Sequence, residues 1–411
     1  MKQLTVFSAL LLAGLSCTAL AVDIKEDLQK AYALSGERKH DEAIRLLADA
    51  VAKPEVSFEQ QKEAAFRVAN YIHSIDRSHY PMMREKLEEF LKIKGLTDSD
   101  KKVLLDSIYG TYSRVNDNDN ALKTEKRILE LKGITDKERA DVLDTVARLY
   151  IHHYRDLDTG RVYFHQCLAL RRKAADALED PLARASKLKD IGYIYRIHAR
   201  EFDKAKAVYL EAASIYKGEL PKLQGSKKAR VYVSLVDIYD AIGHKEEETK
   251  AKEDAVAEYI RILDGAKNLS GAEWVKVVSP GDAMASLKQT PEGARKALEL
   301  ADKMVAMKDD KAVRNELNGV LNWAVWIAAW GPDATLRPRA SHFLEEQVAL
   351  ATTPDRRHYY QLQLGESYFR RDRALGKARK VFAEIANDPE SNKKDREVAE
   401  IWCEMLSDTG Q

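Results

Sequence analysis

Side chains that could bind an anionic group recur along the sequence. Aromatic residues stand near the middle of successive apolar stretches, and an arginine or asparagine lies within a few positions of several of them. Guanidinium pairs with carboxylate through two parallel hydrogen bonds, so these positions predict contact with acidic or C-terminal peptide groups. The candidate partner-binding residues are Arg67, Asn70, Arg114, Arg148, Arg196 and Arg370. The alternative is that each arginine is solvated or bridges neighbouring helices.

The histidines do not form a metal-binding pattern. His152, His153 and His165 are their only cluster in the sequence. Adjacent residues on a helix point about 100° apart, so His152 and His153 cannot chelate an ion as a His-x-x-x-His pair would. These residues favour surface or packing roles. We also find no phosphate-binding glycine loop, His-Glu-x-x-His or Gly-x-Ser-x-Gly motif. The sequence therefore predicts a protein that is not an enzyme, with no catalytic residue, metal or cofactor.

A tryptophan stripe allows two interpretations. Trp323, Trp326 and Trp330 lie at positions i, i+3 and i+7 of one helical face. We expect them in the helix core, because Trp326 falls on the repeated aromatic position described below. The alternative is an exposed aromatic anchor for a partner or for a glycan.

Helices must position all of these residues. Apolar side chains follow a period of about 3.6 residues, as in the stripes Val142, Val146, Leu149 and Leu188, Ile191, Tyr195. No segment alternates with period two over a useful length. Thr97 and Thr135, each followed by charged residues, are typical helix N-caps. The sequence predicts an all-α fold.

The helices are organised as a repeat of about 42 residues, marked by recurring aromatic residues. These are Tyr32, Tyr71, Tyr112, Tyr150, Tyr195, Tyr239, Trp326 and Tyr368. One interval is about twice the others, so we expect a degenerate unit at 266–307. Ser279-Pro280-Gly281 should interrupt a helix there. We therefore predict an N-terminal array over 22–265 and a C-terminal array with a capping helix over 266–411.

Each unit has a second helix that opens around a small alanine, best seen at Ala43, Ala205 and Ala378. An aromatic residue followed by such an opening resembles the tetratricopeptide repeat (TPR). The resemblance covers most of residues 23–390. It implies a superhelical α-solenoid of antiparallel helix pairs, in which first helices line a groove that binds protein segments. This sequence departs from the family in its longer period and in the unit after Gly265, which lacks the pattern.

The first residues predict export. Met1-Lys2 is followed by an apolar stretch from Leu4 to Leu15 and by Ala19-Leu20-Ala21, the layout of a cleavable signal peptide over 1–21. Cleavage after Ala21 would place the chain in the periplasm or outside the cell. The alternative is a lipoprotein anchored through Cys17. Nothing after this segment is long and apolar enough to span a membrane.

Charge excludes one partner class, and the repeat favours another. The chain carries 67 basic and 66 acidic residues, without the basic face that nucleic acid requires. We therefore predict an exported TPR-like scaffold or adaptor that binds a protein or peptide in its groove. The alternatives are a glycan- or peptidoglycan-associated binder or enzyme, and a lipoprotein component of an envelope assembly machine.

Overall fold

A computed structural model describes residues 21–37, 39–52, 56–73 and 75–408. The predicted signal peptide, apart from Ala21, and Cys17 lie outside these residues. All regular secondary structure in the described ranges is helical and none of it is strand, which confirms the all-α prediction. No helix of these ranges has both the length and the apolar character needed to cross a membrane.

The chain divides into two compact units, and helices α9 (Pro181–Tyr193) and α10 (Phe202–Glu219) contribute residues to both. Unit 1 consists of Met1–Leu178 and Asp190–Ala205. Its described helices are α1 (Ala21–Gly36), α2 (His40–Ala52), α3 (Phe58–Asn70), α4 (Tyr80–Phe90), α5 (Asp98–Arg114), α6 (Asn118–Glu130), α7 (Asp136–Arg148) and α8 (Leu157–Asp176).

Unit 2 consists of Glu179–Lys189 and Lys206–Gln411. Its helices are α11 (Gly225–Ile242), α12 (Lys245–Gly265), α13 (Gly271–Val278), α14 (Pro280–Leu287), α15 (Pro291–Ala306), α16 (Lys311–Trp330), α17 (Arg339–Leu350), α18 (Pro354–Arg370), α19 (Leu375–Asn387) and α20 (Lys393–Asp408). The predicted array boundary at Gly265 stays a prediction, as does the capping role of the last helix.

Side-chain caps fix where the first helices begin. Thr97 and Thr135 are N-caps, as the sequence predicts. The Thr97 hydroxyl accepts a hydrogen bond from the backbone N–H of Asp100, whose carboxylate accepts from the N–H of Thr97. Thr135 and Glu138 form the same reciprocal pair. A cap of this kind satisfies backbone donors that a helix start leaves unpaired, and it stabilises the helix by about 1 kcal/mol.

The repeated tyrosines mark where first helices end. The carbonyl of Tyr112 accepts from the N–H of Asp117 at 3.0 Å, and that of Tyr239 accepts from His244 at 2.9 Å. The residues just before these donors, Asn116 and Gly243, have left-handed φ values of 58° and 74°. This is the geometry of a helix C-cap that turns the chain back into the second helix.

The second helices pack through their alanines. Ala43, Ala205 and Ala378 are buried at 0 to 2% exposure on α2, α10 and α19, where a larger side chain would separate the paired helices. Within each unit, consecutive helices joined by short connections pack against each other. Each unit is therefore a stack of antiparallel helix pairs, which confirms the TPR-like α-solenoid arrangement within each unit.

The predicted degenerate segment differs from the other repeats in helix length. Two short helices, α13 and α14, stand where a long first helix would be. Ser279 between them has φ 48°, a left-handed value unfavourable for a residue with a Cβ, and Pro280 begins α14. The helix break predicted at 279–281 is confirmed.

The expectation that the tryptophan stripe lies in the core is wrong for two of its three members. Trp326 is 45% exposed and Trp330 is 71% exposed, whereas Trp323 packs half-buried against the core of unit 2. The buried face of α16 is formed instead by Leu317, Leu321 and Ala324 together with other small and aliphatic side chains. These residues supply a complete apolar stripe, so the core does not need the indole rings.

Candidate functional site

The strongest candidate site is a pocket of unit 1, between the first helices α5 and α7, that is lined by several polar side chains. Its volume is about 450 Å³. The lining residues are Tyr109, Asn118, Asp144, Thr145, Arg148, Leu149, His152 and His153. Ligand sites are concave and carry a few convergent polar groups, and this pocket has that character. It contains one of the sequence-predicted residues, Arg148.

A π-helical turn shapes the pocket. After α7 the chain continues as a π turn, Leu149–His153, and the carbonyl of Tyr150 accepts from the N–H of Asp156 at 2.9 Å. This hydrogen bond joins residues six positions apart, whereas the corresponding bond from Asp117 to Tyr112 joins residues five positions apart. The extra residue is accommodated by the wider turn before Arg155, whose φ is 60°. Such single-turn π insertions in helices occur frequently at functional sites.

A second π turn repeats this geometry. Ile194–Ala199 follows α9, the carbonyl of Tyr195 accepts from the N–H of Glu201 at 2.9 Å, and Arg200 has φ 55°. The two turns are one helix pair apart in sequence. Each brings a histidine to the same side of unit 1, because the rings of His152 and His198 are 6.3 Å apart at 85°.

Arg148 supplies the positive charge of the pocket. Its Nε donates to Oδ2 of Asp144 at 2.7 Å, one turn earlier on α7. Within the described residues this is the only hydrogen bond from the guanidinium, which leaves four of its five N–H groups for a ligand. The second oxygen of Asp144, Oδ1, is buried without a hydrogen-bond partner in the described structure. The hydrogen-bond donors of Arg148 therefore lie beside an unsatisfied acceptor, Oδ1 of Asp144.

The pocket histidines are positioned by neighbours. The side-chain amide of Asn118 donates to Nδ1 of His153 at 3.0 Å, so the neutral ring carries its proton on Nε2. Tyr154 packs edge-on against the His153 ring, with centroids 4.7 Å apart. This arrangement makes His153 a second hydrogen-bond donor in the pocket.

His198 lies behind the pocket and is 9% exposed. It stacks on Phe164 at 5.8 Å, and its Nδ1 is buried without a hydrogen-bond partner in the described structure. Burial, followed by the nearby Arg148 guanidinium, lowers the pKa of His198. The ring is therefore neutral at pH 7, so it adds polarity without adding charge.

The remaining predicted residues do not converge on this pocket. Arg67 pairs with Glu63 at 2.9 Å and Arg370 pairs with Glu366 at 3.8 Å, each one turn away on its own helix. Asn70 and Arg114 are exposed at the ends of α3 and α5. Arg196 is half-buried on the second π turn, and its Nε has no hydrogen-bond partner within the described part of the chain.

The histidines that the sequence groups together lie at different sites in the structure. His165 pairs with Glu201 at 2.7 Å and does not line the pocket of His152 and His153. Among the residues that the structure describes, no group of three or more His, Cys, Asp or Glu side chains is placed to hold a metal ion.

Comparison with known proteins gives similarity to solved structures only, at low sequence identity and low TM-scores. No protein-family model and no curated protein sequence matches the chain. The apo form of RapI aligns with 94% of this chain and 98% of its own length, at 11% identity and a TM-score of 0.35. The quorum sensor NprR from B. thuringiensis aligns with 95% and 99%, at 12% identity and 0.30. BtubC from P. vanneervenii aligns with 62% and 94%, at 17% identity and 0.31.

Proposed function

We propose that this protein is a non-enzymatic binding protein that holds a peptide segment of a partner on the first-helix side of unit 1. The observation that carries the proposal is Arg148, whose guanidinium opens into a pocket beside the unsatisfied Oδ1 of Asp144. A TPR-like stack of helix pairs offers such sites to extended peptides.

The pocket chemistry favours the C-terminal residue of a peptide. Its carboxylate would accept from Arg148 and from Nε2 of His153, in the charge-assisted pairing that guanidinium forms with carboxylates. Its own backbone N–H would donate to Oδ1 of Asp144 and satisfy that buried acceptor. An acidic side chain supplies the carboxylate but not the adjacent N–H, so a free C-terminus fits both groups better.

Peptide arrays test this directly. The mature chain should prefer peptides with a free C-terminal carboxylate over the same peptides amidated. Arg148→Glu should weaken binding of the best peptide at least about tenfold, or ~1.4 kcal/mol. The variant replaces the guanidinium with a carboxylate, which repels the carboxylate of the peptide. Fluorescence anisotropy of labelled peptides measures both effects.

Arg67→Glu is the matched control for this variant. Arg67 also lies on a first helix and also pairs with a carboxylate one turn earlier, but it does not line the pocket. It should change affinity less than about twofold. Equal binding of amidated peptides, or equal losses in the two variants, would contradict the proposed site.

We further propose that the protein is exported and cleaved after Ala21, so that the mature chain begins at Val22. Intact-mass measurement of the protein from its native host should show that N-terminus without added lipid. A chain beginning at an acylated Cys17 would instead assign it to the membrane-anchored lipoproteins, the alternative for an envelope assembly component.

A further inference from the structure

The exposed tryptophans of unit 2 belong to a larger surface, which we call the α16 tryptophan face. Its members are Trp323, Trp326, Trp330, Asn318 and Asn322 on α16, Lys288 after α14 and Arg371 after α18. Trp323 and Trp326 pack edge to face at 6.0 Å. From Asn318 to Trp330 the face extends about 18 Å along the helix, at 1.5 Å per residue.

Lys288 is a cation of this face that has no ion-pair partner among the described residues. Its Nζ lies 4.3 Å from the Trp323 ring centroid and 5.1 Å from that of Trp326. Within the described ranges, its ammonium group contacts these indole rings and forms no ion pair with a carboxylate. Burial lowers the pKa of Lys288, and the carboxylate of Asp237 opposes this only in part. The indole rings attract the ammonium group but do not neutralise its charge.

The asparagines of the face present donors. Oδ1 of Asn318 accepts from the Tyr360 hydroxyl at 3.1 Å, and Oδ1 of Asn322 accepts from the Gln347 amide at 2.6 Å. Both asparagines are exposed, so their amide N–H groups are left for solvent or for a ligand. The Arg371 guanidinium adds a second cation, 5.3 Å from the Trp330 ring.

We propose that the α16 tryptophan face binds an anionic oligosaccharide. The apolar C–H face of a sugar ring would lie against Trp326 or Trp330, as flat amphipathic ligands lie on indole rings. A carboxylate or sulfate of the sugar would pair with Lys288, and hydroxyl oxygens would accept from Asn318 and Asn322. An acidic peptide would also supply carboxylates, but it has no flat C–H ring face to lie on the exposed rings of Trp326 and Trp330, so these rings favour the saccharide.

This inference is independent of the peptide pocket of unit 1, so either proposal can fail alone. The test titrates the full chain with hexagalacturonate, with neutral maltohexaose of equal length, and with hexaglutamate as an acidic peptide. Tryptophan fluorescence and calorimetry are the readouts. Hexagalacturonate should bind at least about tenfold more tightly than maltohexaose, since one charge pair of ~1.4 kcal/mol gives that factor.

Matched lysine variants test whether Lys288 causes this preference for the charged saccharide. Lys288→Gln should weaken hexagalacturonate about fivefold or more and leave maltohexaose unchanged, since glutamine keeps a polar side chain at this position but carries no charge to pair with the saccharide. Lys303→Gln is the control, because Lys303 also lies over an indole ring, at 4.9 Å, but that ring belongs to Trp274, which is buried at 1% exposure. Trp330→Ala should weaken both saccharides, and Arg148→Glu should affect neither.

Three results would overturn the inference. Equal affinity for the charged and neutral saccharides would remove the role of Lys288, and binding of neither would remove the site. Tighter binding of hexaglutamate than of hexagalacturonate, lost in the Lys288 variant, would assign the face to an acidic peptide. Unchanged thermal unfolding of each variant excludes misfolding as the cause of a loss.

Discussion

Replacing Gly293 with alanine should lower the free energy of unfolding of unit 2 by about 3 kcal/mol, because an added Cβ has no space in the packed core. Gly293 lies in the first turn of α15, where its N–H donates to the Thr290 hydroxyl at 3.1 Å. A Cβ at this position would lie 2.1 Å from the carbonyl oxygen of Leu287 and 2.8 Å from Cγ2 of Val256. The closer contact is with backbone, which cannot turn away as a flexible side chain can.

Gly319→Ala is the control of opposite sign. Gly319 is exposed within α16, and nothing lies within 4 Å of its added Cβ. Alanine there should stabilise unit 2 by about 0.5 to 1 kcal/mol, because it restricts the unfolded chain and favours helix.

Urea unfolding followed by tryptophan fluorescence measures both variants. All 5 tryptophans of the chain lie in unit 2, so the signal reports on that unit alone. A Gly293→Ala protein as stable as wild type would mean that α14 and α15 can separate without loss of packing.

The sequence predicts the helices and their caps because these depend on local chemistry. Apolar periodicity identifies the helix pairs, and Thr97 and Thr135 cap their helices as expected. A threonine hydroxyl reaches a backbone N–H three residues later in any fold, so such a cap can be read without tertiary information. The alanines of the second helices likewise mark close approach wherever two helices cross.

The tryptophan stripe shows where periodicity stops being informative. A helical stripe of large apolar residues predicts a buried face, but α16 has a second stripe that includes Leu317, Leu321 and Ala324. Both stripes satisfy the helical period. Which one faces the core is decided by the neighbouring helices, and Trp326 and Trp330 are left exposed. A single sequence does not determine which of the two stripes is buried.

The candidate site was predicted in part. Arg148 lines the pocket, but Asn118 reaches it only through tertiary packing, and the sequence did not predict it. Asp144, one turn before Arg148 on the same helix, was also missed. One local signal could have located the site. Tyr150 and Tyr195 are each followed by an acidic residue six positions later, whereas Tyr112 has one five positions later. That extra residue is the one accommodated by each π turn.

A buried glutamate of unit 1 should make its stability depend on pH. Glu125 on α6 is 4% exposed, and its Oε2 has no hydrogen-bond partner in the described structure. Burial, reinforced by the negative charge of Asp106 on α5, raises the pKa of Glu125 to about 8, although Lys102 opposes this. The folded chain therefore carries a proton here that an unfolded glutamate, titrating near 4.5, has lost at neutral pH.

The sign follows from proton release on unfolding. Between pH 4.5 and about 8 the native state binds the additional proton, so the free energy of unfolding falls as pH rises through this window. Glu125→Gln keeps a neutral side chain of the same shape in both states and removes this dependence. We expect the variant to match wild type near pH 4.5 and to exceed its stability by about 4 kcal/mol at pH 8.

Urea unfolding at pH 5 and pH 8, followed by far-UV circular dichroism, measures the difference, and tryptophan fluorescence identifies the part of the transition that belongs to unit 2. Glu130→Gln, at the exposed end of the same helix, is the control and should change stability by less than about 0.5 kcal/mol at either pH. Asp106→Asn removes the neighbouring charge and should reduce the pH dependence without abolishing it, because burial is the larger cause.

Parallel curves of unfolding free energy against pH for wild type and Glu125→Gln would show that Glu125 is ionised in the folded chain. The buried carboxylate would then need a compensating partner, since an uncompensated charge at this depth would make the native state less stable.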